Sequence, residues 1–312
     1  MIPYFPLYLW KKLDIGYRLD LAERIRQLGF RRIGVQFLFI YQSETRYLDK
    51  LVKRAEMFKE HIEMIFDKVY YSVHAPFMPY SACSVEFNRK ATASIARILS
   101  RFHGVEFVNV HMSHPGIKDW NRSRIDYKKK QKNLSSIATR LKTLNHFNSR
   151  ICIENTCGTT PSDDHVTYIG NLPSDFAYIF SKVPEMRLTL DVCHSGLVSK
   201  ACASMSEKHA VRSFTGFFEE EFKEIQAVAK SKDYAFLSLS DNLFHVHLSD
   251  FKGLRHGAVP GRGDRKMSYL MGFIREIIKA KKGNISVLAE IDETDYAKSL
   301  NTFSCFKILK GL

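Results

Sequence analysis

The feature that most constrains this chain is a regular alternation of short apolar segments with longer amphipathic ones, which occurs eight times. The apolar segments predict strands at Tyr4–Leu9, Arg32–Phe37, Val69–His74, Val105–His111, Arg150–Glu154, Met186–Asp191, Leu243–Leu248 and Ile285–Ile291. The segments between and after them predict helices at Tyr17–Leu28, Glu44–Phe66, Ser84–Phe102, Ser123–Asn145, Ser174–Lys182, Phe217–Ala229, Ser268–Lys281 and Tyr296–Leu309. Eight strand–helix units in succession predict an α/β fold, a (β/α)8 barrel of the TIM type.

The organisation of the chain predicts one domain. No segment rich in Pro, Gly or Ser divides the 312 residues, so we expect a single barrel over residues 1–312. The interval between Asp191 and His247 is longer than the other intervals between strand ends, which predicts an insertion around Ser199–Thr215.

The chain shows no membrane or export signal. It has no run of about 18 apolar residues, and its apolar first segment lacks the basic residues and cleavage site of a signal peptide. The six cysteines form no CxxC pair, so no disulfide framework is expected. We therefore expect a cytoplasmic protein with no membrane contact.

The chemically informative residues stand at the predicted carboxyl ends of the strands. In a parallel barrel these ends open onto one face, and that face is where functional sites are built. The candidate metal ligands on this face recur at intervals of roughly 40 residues, one strand–helix unit. They are His74, His111, Glu154, Asp191, His194, His247, His256 and Glu290. His245 lies deeper along its strand and is expected to be a core residue.

The composition of this ligand set indicates the kind of metal. Imidazoles and carboxylates without a thiolate suit Zn²⁺, Mn²⁺, Co²⁺ or iron, whereas a purely oxygen set suits Mg²⁺ or Ca²⁺. Eight ligands exceed the need of one tetrahedral ion, so they predict two or three ions that share carboxylates. Two alternatives stay open: a single strand-end His is commonly a core or surface residue, and Glu154 and Asp191 could serve as helix caps or ion-pair partners. Cys193 is expected to pack in the core.

The segments that carry these residues resemble the successive motifs of the endonuclease IV family, which belongs to the xylose isomerase-like barrel superfamily. They lie between about residue 70 and residue 292 and read SVHAP, NVHMSHPG, IENTCG, LDVCHSG, HVHLSD, RHGAVPGRG and LAE. The resemblance implies a zinc-dependent phosphodiesterase with a trinuclear site, which cleaves DNA on the 5′ side of an abasic site.

The resemblance also implies a role for each ligand. One zinc would be bound by His74, His111 and Glu154, a second by Glu154, Asp191, His247 and Glu290, and a third by His194 and His256. Glu154 and Glu290 would be the catalytic carboxylates, one bridging two ions and the other orienting the attacking water. The chain departs from the family at Leu254, where an acidic residue is expected two positions before the last His. The third ion is then either lost or held by Asp250 or Asp264.

The charge of the chain fits a nucleic-acid partner without requiring one. The formal charge is +14 and the sequence pI is about 9.4, which suits either an anionic partner or solubility alone. With the resemblance, the expected partner is double-stranded DNA carrying abasic sites, bound by a monomer. The expected DNA contacts are Lys252, Arg255 and Arg262 at phosphates and Phe77, or Tyr80, as a wedge in the base stack. The run YKKKQK is expected to be a solvated helix face.

A second function within the same superfamily remains open. Sugar isomerases and epimerases have a single-metal set similar to Glu154, Asp191, His247 and Glu290, and in them two carboxylates move a proton at carbon. Such enzymes do not require His74 and His111. These two histidines therefore distinguish the two functions.

Overall fold

A computed structural model confirms the predicted barrel. It describes residues 1–9, 14–39, 42–75, 93, 95–111, 127–144, 151–156, 170–209, 219–253 and 255–312. The strands are β1 (Ile2–Tyr8), β2 (Arg32–Leu38), β3 (Lys68–His74), β4 (Val105–His111), β5 (Ile151–Glu154), β6 (Arg187–Asp191), β7 (Leu243–Leu248), β8 (Asp250–Lys252), β9 (Arg255–Ala258) and β10 (Ser286–Ala289). Eight of them form a closed barrel in the order β1–β10–β7–β6–β5–β4–β3–β2, with every neighbouring pair parallel.

Helices follow the strands as the periodicity predicts. They are Asp14–Gln27, Leu48–Ile65, residues 95–101, Tyr127–Leu144, Pro173–Lys182, Val192–His209, Glu219–Ser231, Met267–Ala280 and Leu300–Lys310. Two 3-10 helices, Gln42–Tyr47 and Lys232–Leu239, add to them. Most of the predicted helix Ser84–Phe102 lies outside the described residues. None of the described helices combines the length and hydropathy needed to span a bilayer.

Alternate residues of each barrel strand pack in two different layers, one between the strands and the helices and one inside the barrel. On β1, Phe5 faces outward and its ring meets those of Phe58 and Phe306, each with a centroid distance of 6.4 Å. Its neighbour Tyr4 faces the barrel interior and contacts Phe107. Burial of each large side chain contributes roughly 1.5–3 kcal/mol, so the outward layer holds the helices on the barrel.

The middle of the barrel interior combines aromatic and polar side chains. It contains His245, which is fully buried as predicted, with its Nδ1 2.6 Å from the hydroxyl of Ser286. The ring of Tyr4 meets His245 edge-on at 5.3 Å. Opposite Tyr4 stands Gly34, where a Cβ would lie 2.2 Å from the Tyr4 ring, so only glycine fits. This packed layer forms the floor of the carboxyl-end face.

The predicted insertion has a different form from the one expected. The helix Val192–His209 begins directly after β6, so residues 199–209 are helical and do not form a loop. The Asp191 carboxylate accepts a hydrogen bond from the backbone N–H of His194 at 2.7 Å and so stabilises the first turn of this helix. The extra length of the unit consists of this helix, followed by the helix Glu219–Ser231 and the 3-10 helix Lys232–Leu239.

One part of the basic run is not solvated. Lys130 is 3% exposed, and its ammonium group lies 2.8 Å from the carboxylate of Asp175 on the neighbouring helix. The expectation of a solvated face is therefore wrong for this lysine. Its charge is compensated inside the fold and does not contribute to an anion-binding surface.

Candidate metal centre

Strand register brings the predicted ligands together at the carboxyl-end face. His111 on β4 stands directly opposite Glu154 on β5, and Asp191 on β6 stands opposite His247 on β7. Neighbouring strands lie about 4.8 Å apart, so these side chains are in contact range across each pair. Glu290 follows β10, which closes the ring beside β7. The fold thus brings predicted ligands from several strand ends to one face of the barrel.

Four of these residues form a compact group. One ligand atom from each of Glu154, Asp191, His247 and Glu290 lies within 4.8 Å of every other. His247 Nδ1 is 2.7 Å from Glu290 Oε2 and 3.3 Å from Glu154 Oε1. Glu154, Asp191 and His247 are almost completely buried, and the Glu290 side chain is 22% exposed. The group therefore has one side open to a ligand.

The polar atoms of this group are arranged to bind a cation and do not form well-directed hydrogen bonds with one another. Glu154 Oε1, Glu290 Oε2 and both ring nitrogens of His247 are buried without a well-directed hydrogen bond to any described residue. Buried carboxylates need compensating charge, and lone pairs that converge without forming hydrogen bonds supply the donor set of a metal ion. A divalent ion held by these four side chains would satisfy the carboxylate oxygens and one imidazole nitrogen together.

A second group joins β3, β4 and β5. It contains His74, His111 and Glu154, with one ligand atom from each within 4.8 Å of the others. His74 Nδ1 lies 2.8 Å from the carbonyl oxygen of Ala75, which favours the tautomer whose Nε2 lone pair points to Glu154 Oε2 at 3.3 Å. The amide of Asn109 donates a hydrogen bond to the same carboxylate. Glu154 belongs to both groups, as a bridging carboxylate would.

The third predicted position has a different composition. Its group is Asp191, Cys193 and His256, and His256 Nε2 is 3.1 Å from Asp191 Oδ2. The expectation of a set without thiols is therefore corrected, because the Cys193 sulfur stands among the ligand atoms. Burial, followed by the charge of Asp191, raises the pKa of Cys193, so this thiol must lose a proton before it can bind a cation.

The other predicted members of the third position lie near the site. His194 belongs to none of the three groups found among the described residues, but its Nδ1 lies 3.5 Å from Glu154 Oε1 and 3.6 Å from Asp191 Oδ2, as well as 2.7 Å from the carbonyl oxygen of Asn155. A role of His194 as a metal ligand stays a prediction. The carboxylate of Asp250 forms a salt bridge with Arg265, and that of Asp264 forms one with Lys200 at 3.1 Å. Neither acid replaces the missing ligand at Leu254, which itself lies outside the described residues.

A largely covered arginine that sequence reasoning missed, Arg265, fixes this part of the site. Arg265 Nη1 donates to Asp233 and to the carbonyl of Val192, both at 2.9 Å. Its Nε donates to Asp250 at 3.0 Å, and its Nη2 donates to the carbonyl of Ser249 at 3.1 Å. These bonds join the antiparallel pair β8–β9, which carries one of the histidines, to the helix that follows β6. No local motif identifies such a residue, because its partners are far apart in sequence.

A second supporting residue that sequence reasoning missed is Asn155. Its Oδ1 accepts the backbone N–H of Asp191 at 2.6 Å, and its Nδ2 donates to the Asp191 carbonyl at 2.9 Å. Its own carbonyl oxygen faces His194 Nδ1. It follows Glu154 directly in the segment IENTCG, so its position could have indicated a supporting role.

The electrostatics of the site favour ionised carboxylates. Burial raises the pKa of Glu154, but the charge of His247 and the close polar contacts of His247 and His74 outweigh it and hold this pKa well below its usual range. Burial likewise opposes ionisation of Glu290, and His247 and His256 overcome it and lower the pKa. Burial lowers the pKa of His111 to about 3, which leaves a neutral imidazole of the kind that a metal ion requires.

The predicted DNA-binding residues are only partly described. Lys252 and Arg255 flank the turn between β8 and β9, and Arg262 lies in the following loop; all three are exposed. Gly253 in the turn has φ +66°, a conformation that suits glycine. Phe77 and Tyr80 lie outside the described residues. A role of these residues at DNA stays a prediction.

Together, a parallel (β/α)8 barrel and a ring of imidazoles and carboxylates define a barrel with the features of a metal-dependent enzyme. A family model described as the xylose isomerase-like TIM barrel matches residues 22–302, and the chain belongs to this family. No curated protein sequence matches the chain significantly.

Solved structures share the fold at low identity. A D-tagatose 3-epimerase-like protein has a TM-score of 0.60 at 16% identity, with 98% of this chain and 96% of that chain covered. The 3-keto-D-glucoside 4-epimerase from E. coli has a TM-score of 0.55 at 14% identity, covering 98% and 99%. A protein from Thermus thermophilus, soaked with zinc chloride, has a TM-score of 0.56 at 14% identity, covering 98% of both chains.

Proposed function

We propose that this protein is a metal-dependent sugar isomerase or epimerase. One observation carries the proposal: two ionised glutamates, Glu154 and Glu290, have carboxylate oxygens within 4.8 Å of each other beside His247 and Asp191. Such a pair can remove a proton from carbon and return one. Similarity of fold to proteins named as epimerases supports this reaction over the phosphodiester hydrolysis that the motifs suggested.

In this reaction some residues would bind the metal and two glutamates would transfer the proton. Glu154, Asp191, His247 and Glu290 would hold the metal, which when bound polarises a carbonyl and its neighbouring hydroxyl. One glutamate takes the proton from the carbon next to the carbonyl, and the electron pair of the C–H bond moves into an enediolate. In an isomerase the same glutamate, now protonated, returns the proton to the neighbouring carbon. In an epimerase the other glutamate must first take up a proton from solvent, which it then gives to the opposite face of the same carbon, while the first glutamate releases its proton to solvent.

The metal itself is also proposed. The four-ligand group offers one imidazole with three carboxylates, and the group of His74, His111 and Glu154 offers two imidazoles with one carboxylate. Both sets suit Zn²⁺, Mn²⁺ or Co²⁺. The zinc soak of a protein with a similar fold is consistent with them. Glu154 would be shared if both groups are loaded.

Hydrogen exchange with solvent tests the proposal directly. The protein, loaded with Mn²⁺ or Zn²⁺, is incubated in D₂O with a panel of ketoses and aldoses and followed by NMR. We expect deuterium to enter one sugar at the carbon next to the carbonyl, together with the isomer or epimer. Absence of exchange across the panel, with metal bound at the four-ligand group, would contradict the proposal.

A second function is favoured by one specific observation. The group of His74, His111 and Glu154 is complete and shares a carboxylate with the four-ligand group, which is the arrangement expected for two-metal hydrolysis of a phosphodiester. Proton transfer at carbon needs only the four-ligand group. We keep hydrolysis of abasic DNA as the alternative, and His111 as the residue that separates the two.

Replacement of His111 by alanine has opposite consequences for the two functions. In an isomerase we expect His111→Ala to keep proton exchange within about tenfold, because the four-ligand group is intact. In a nuclease we expect cleavage of an abasic duplex to fall by about 10²-fold or more, since metal ligands are indispensable in such sites. His61→Ala on the exposed face of a helix is the matched control. Chelator-sensitive cleavage by the wild type without any sugar exchange would favour the alternative.

A further inference from the structure

A third group of possible ligands lies beside the four-ligand group and differs from it in containing a thiol. It consists of Asp191, Cys193 and His256, and one ligand atom from each lies within 4.8 Å of every other. The two ion positions proposed above use neither Cys193 nor His256. A carboxylate and a thiolate together carry two negative charges, so one divalent cation held by them and a neutral imidazole forms a neutral buried group.

The two oxygens of the Asp191 carboxylate are directed to different partners. Its Oδ1 accepts the backbone N–H of His194 at 2.7 Å, in the first turn of the helix Val192–His209. Its Oδ2 lies 3.1 Å from His256 Nε2. The first oxygen therefore fixes the carboxylate, and the second is directed towards the imidazole with which it would share an ion.

The thiol of Cys193 is held in the same helical turn. Its side chain is completely buried and packs with Leu197 and Phe251. The nearby guanidinium of Arg265 lies 4.9 Å from the ring centroid of Phe251, and two aspartates compensate its charge. The surroundings of the sulfur therefore fix its position without an uncompensated positive charge that would repel a cation.

The backbone beside His256 has a fixed form, and the imidazole meets solvent. Gly257 has φ +93°, and a Cβ there would lie 2.5 Å from the carboxylate carbon of Asp292, so only glycine fits. The Gly257 carbonyl accepts the backbone N–H of Asp292 at 2.8 Å. The His256 side chain is 29% exposed, and its Nε2 lies 4.0 Å from Glu290 Oε2. The third group therefore meets solvent on the side where the four-ligand group is also open.

We propose that Cys193 is a metal ligand, which with Asp191 and His256 binds a separate divalent cation and makes this position selective for Zn²⁺ or Co²⁺ over Mn²⁺. On binding, the thiol gives up its proton to the buffer, and the sulfur and the imidazole nitrogen each donate a lone pair to the ion. Soft thiolate ligands select zinc, whereas manganese prefers oxygen ligands. The inference concerns metal binding and holds for either reaction, because no proton transfer at carbon passes through Cys193.

Cobalt spectroscopy tests the sulfur ligand without turnover. Chelator-treated protein is titrated with Co²⁺, because a thiolate bound to Co²⁺ gives an intense sulfur-to-metal charge-transfer band in the near ultraviolet, which imidazole and carboxylate ligands do not give. We expect this band in the wild type, and we expect Cys193→Ala to lose it and to bind about one ion fewer per chain. Cys202→Ala, the same change at another buried cysteine of the same helix, should keep the band.

Measurements on the wild type do not depend on the folding of a variant. X-ray absorption at the zinc edge of the saturated protein should show a sulfur neighbour at about 2.3 Å. Equilibrium dialysis should give about one more Zn²⁺ than Mn²⁺ per chain. Equal numbers of the two ions would overturn the proposed selectivity.

The outcomes separate this inference from the proposed function. A wild type without the charge-transfer band and without a sulfur neighbour, or a band that survives in Cys193→Ala, overturns the role of Cys193 even if proton exchange is observed. Conversely, a sulfur ligand that disappears in Cys193→Ala, in a protein without proton exchange, supports this metal position and overturns only the isomerase reaction.

Discussion

Replacing Glu290 by glutamine is expected to lower proton exchange at the sugar carbon by about 10²- to 10⁴-fold, the range found for loss of a general acid or base. Glutamine keeps the size of the side chain but cannot accept or donate the transferred proton. Because the proton is transferred only after the sugar is bound, the loss should appear mainly in kcat. Deuterium incorporation from D₂O, followed by NMR at saturating sugar, measures it.

Two controls separate the loss of a proton carrier from the loss of a metal ligand. Metal content of Glu290→Gln must be measured and restored to the wild-type value by excess metal before the rates are compared. Glu276→Gln, an identical change at an exposed helix position, should leave the rate unchanged. If metal-loaded Glu290→Gln keeps more than about a tenth of the wild-type rate, Glu290 does not carry the proton.

Removal of the metal is expected to abolish the proposed isomerase activity. Binding of metal to the metal-free protein is expected to release protons. Burial alone would lower the pKa of His256, but Asp191 and Glu290 outweigh it and raise this pKa to about 9. Burial alone would also lower the pKa of His247, but the charges of Glu154 and Glu290 outweigh burial and raise this pKa well above its usual value. His256 is therefore protonated at pH 7 before a cation binds, and the raised pKa of His247 favours its protonated form as well. A protonated imidazole cannot be a ligand. Metal must displace these protons, so affinity rises with pH towards pH 9 and falls as pH is lowered.

Calorimetry of the chelator-treated protein measures this linkage. Titration with Zn²⁺ or Mn²⁺ at about pH 7, in two buffers of different ionisation enthalpy, should show the release of roughly one to two protons per ion bound at these histidines. Bound metal should also raise the Tm, because a ligand of the folded state stabilises it. Metal affinity that is equal at about pH 6 and pH 8 would contradict the protonation of His247 and His256.

The barrel itself could be predicted because its signal is local. Each strand has outward residues such as Phe5 that must meet a helix, and the alternation of strands and helices repeats eight times. The ligands could be predicted from the same pattern, because a parallel barrel brings all strand ends to one face. His111 and Glu154 are separated by a helix in sequence but stand opposite each other in register.

What could not be predicted depends on contacts between distant segments. Arg265 meets Asp233 and Asp250 only after three segments are folded together, and no spacing rule indicates this contact. The same holds for Lys130. Its position in the sequence predicts which face of the helix it occupies, but it does not predict that the carboxylate of Asp175 lies opposite that face. Cys193 was expected to pack and is buried, but its sulfur also stands among ligand atoms because the β8–β9 pair brings His256 to it.

The motifs were less decisive for function than for position. SVHAP and IENTCG correctly located His74 and Glu154 in one group. The same residues, however, fit two kinds of enzyme. One is a two-metal hydrolase, and the other is an isomerase in which only the four-ligand group takes part in proton transfer at carbon. The number of ions bound and the bond that is broken depend on the substrate, and a pattern of ligands in the sequence does not define the substrate.

The closure of the barrel has a consequence for the order in which the proposed metal site is assembled. Strand β1 pairs with β10, with Ile2 opposite Ser286, so the first and last strands of the barrel meet at a seam. Glu290 stands at this seam. During synthesis from the N-terminus, the other seven barrel strands can emerge from the ribosome before the residue that completes the four-ligand group exists. The complete four-ligand group of the proposed metal site can therefore form only after the last strand of the barrel has been synthesised.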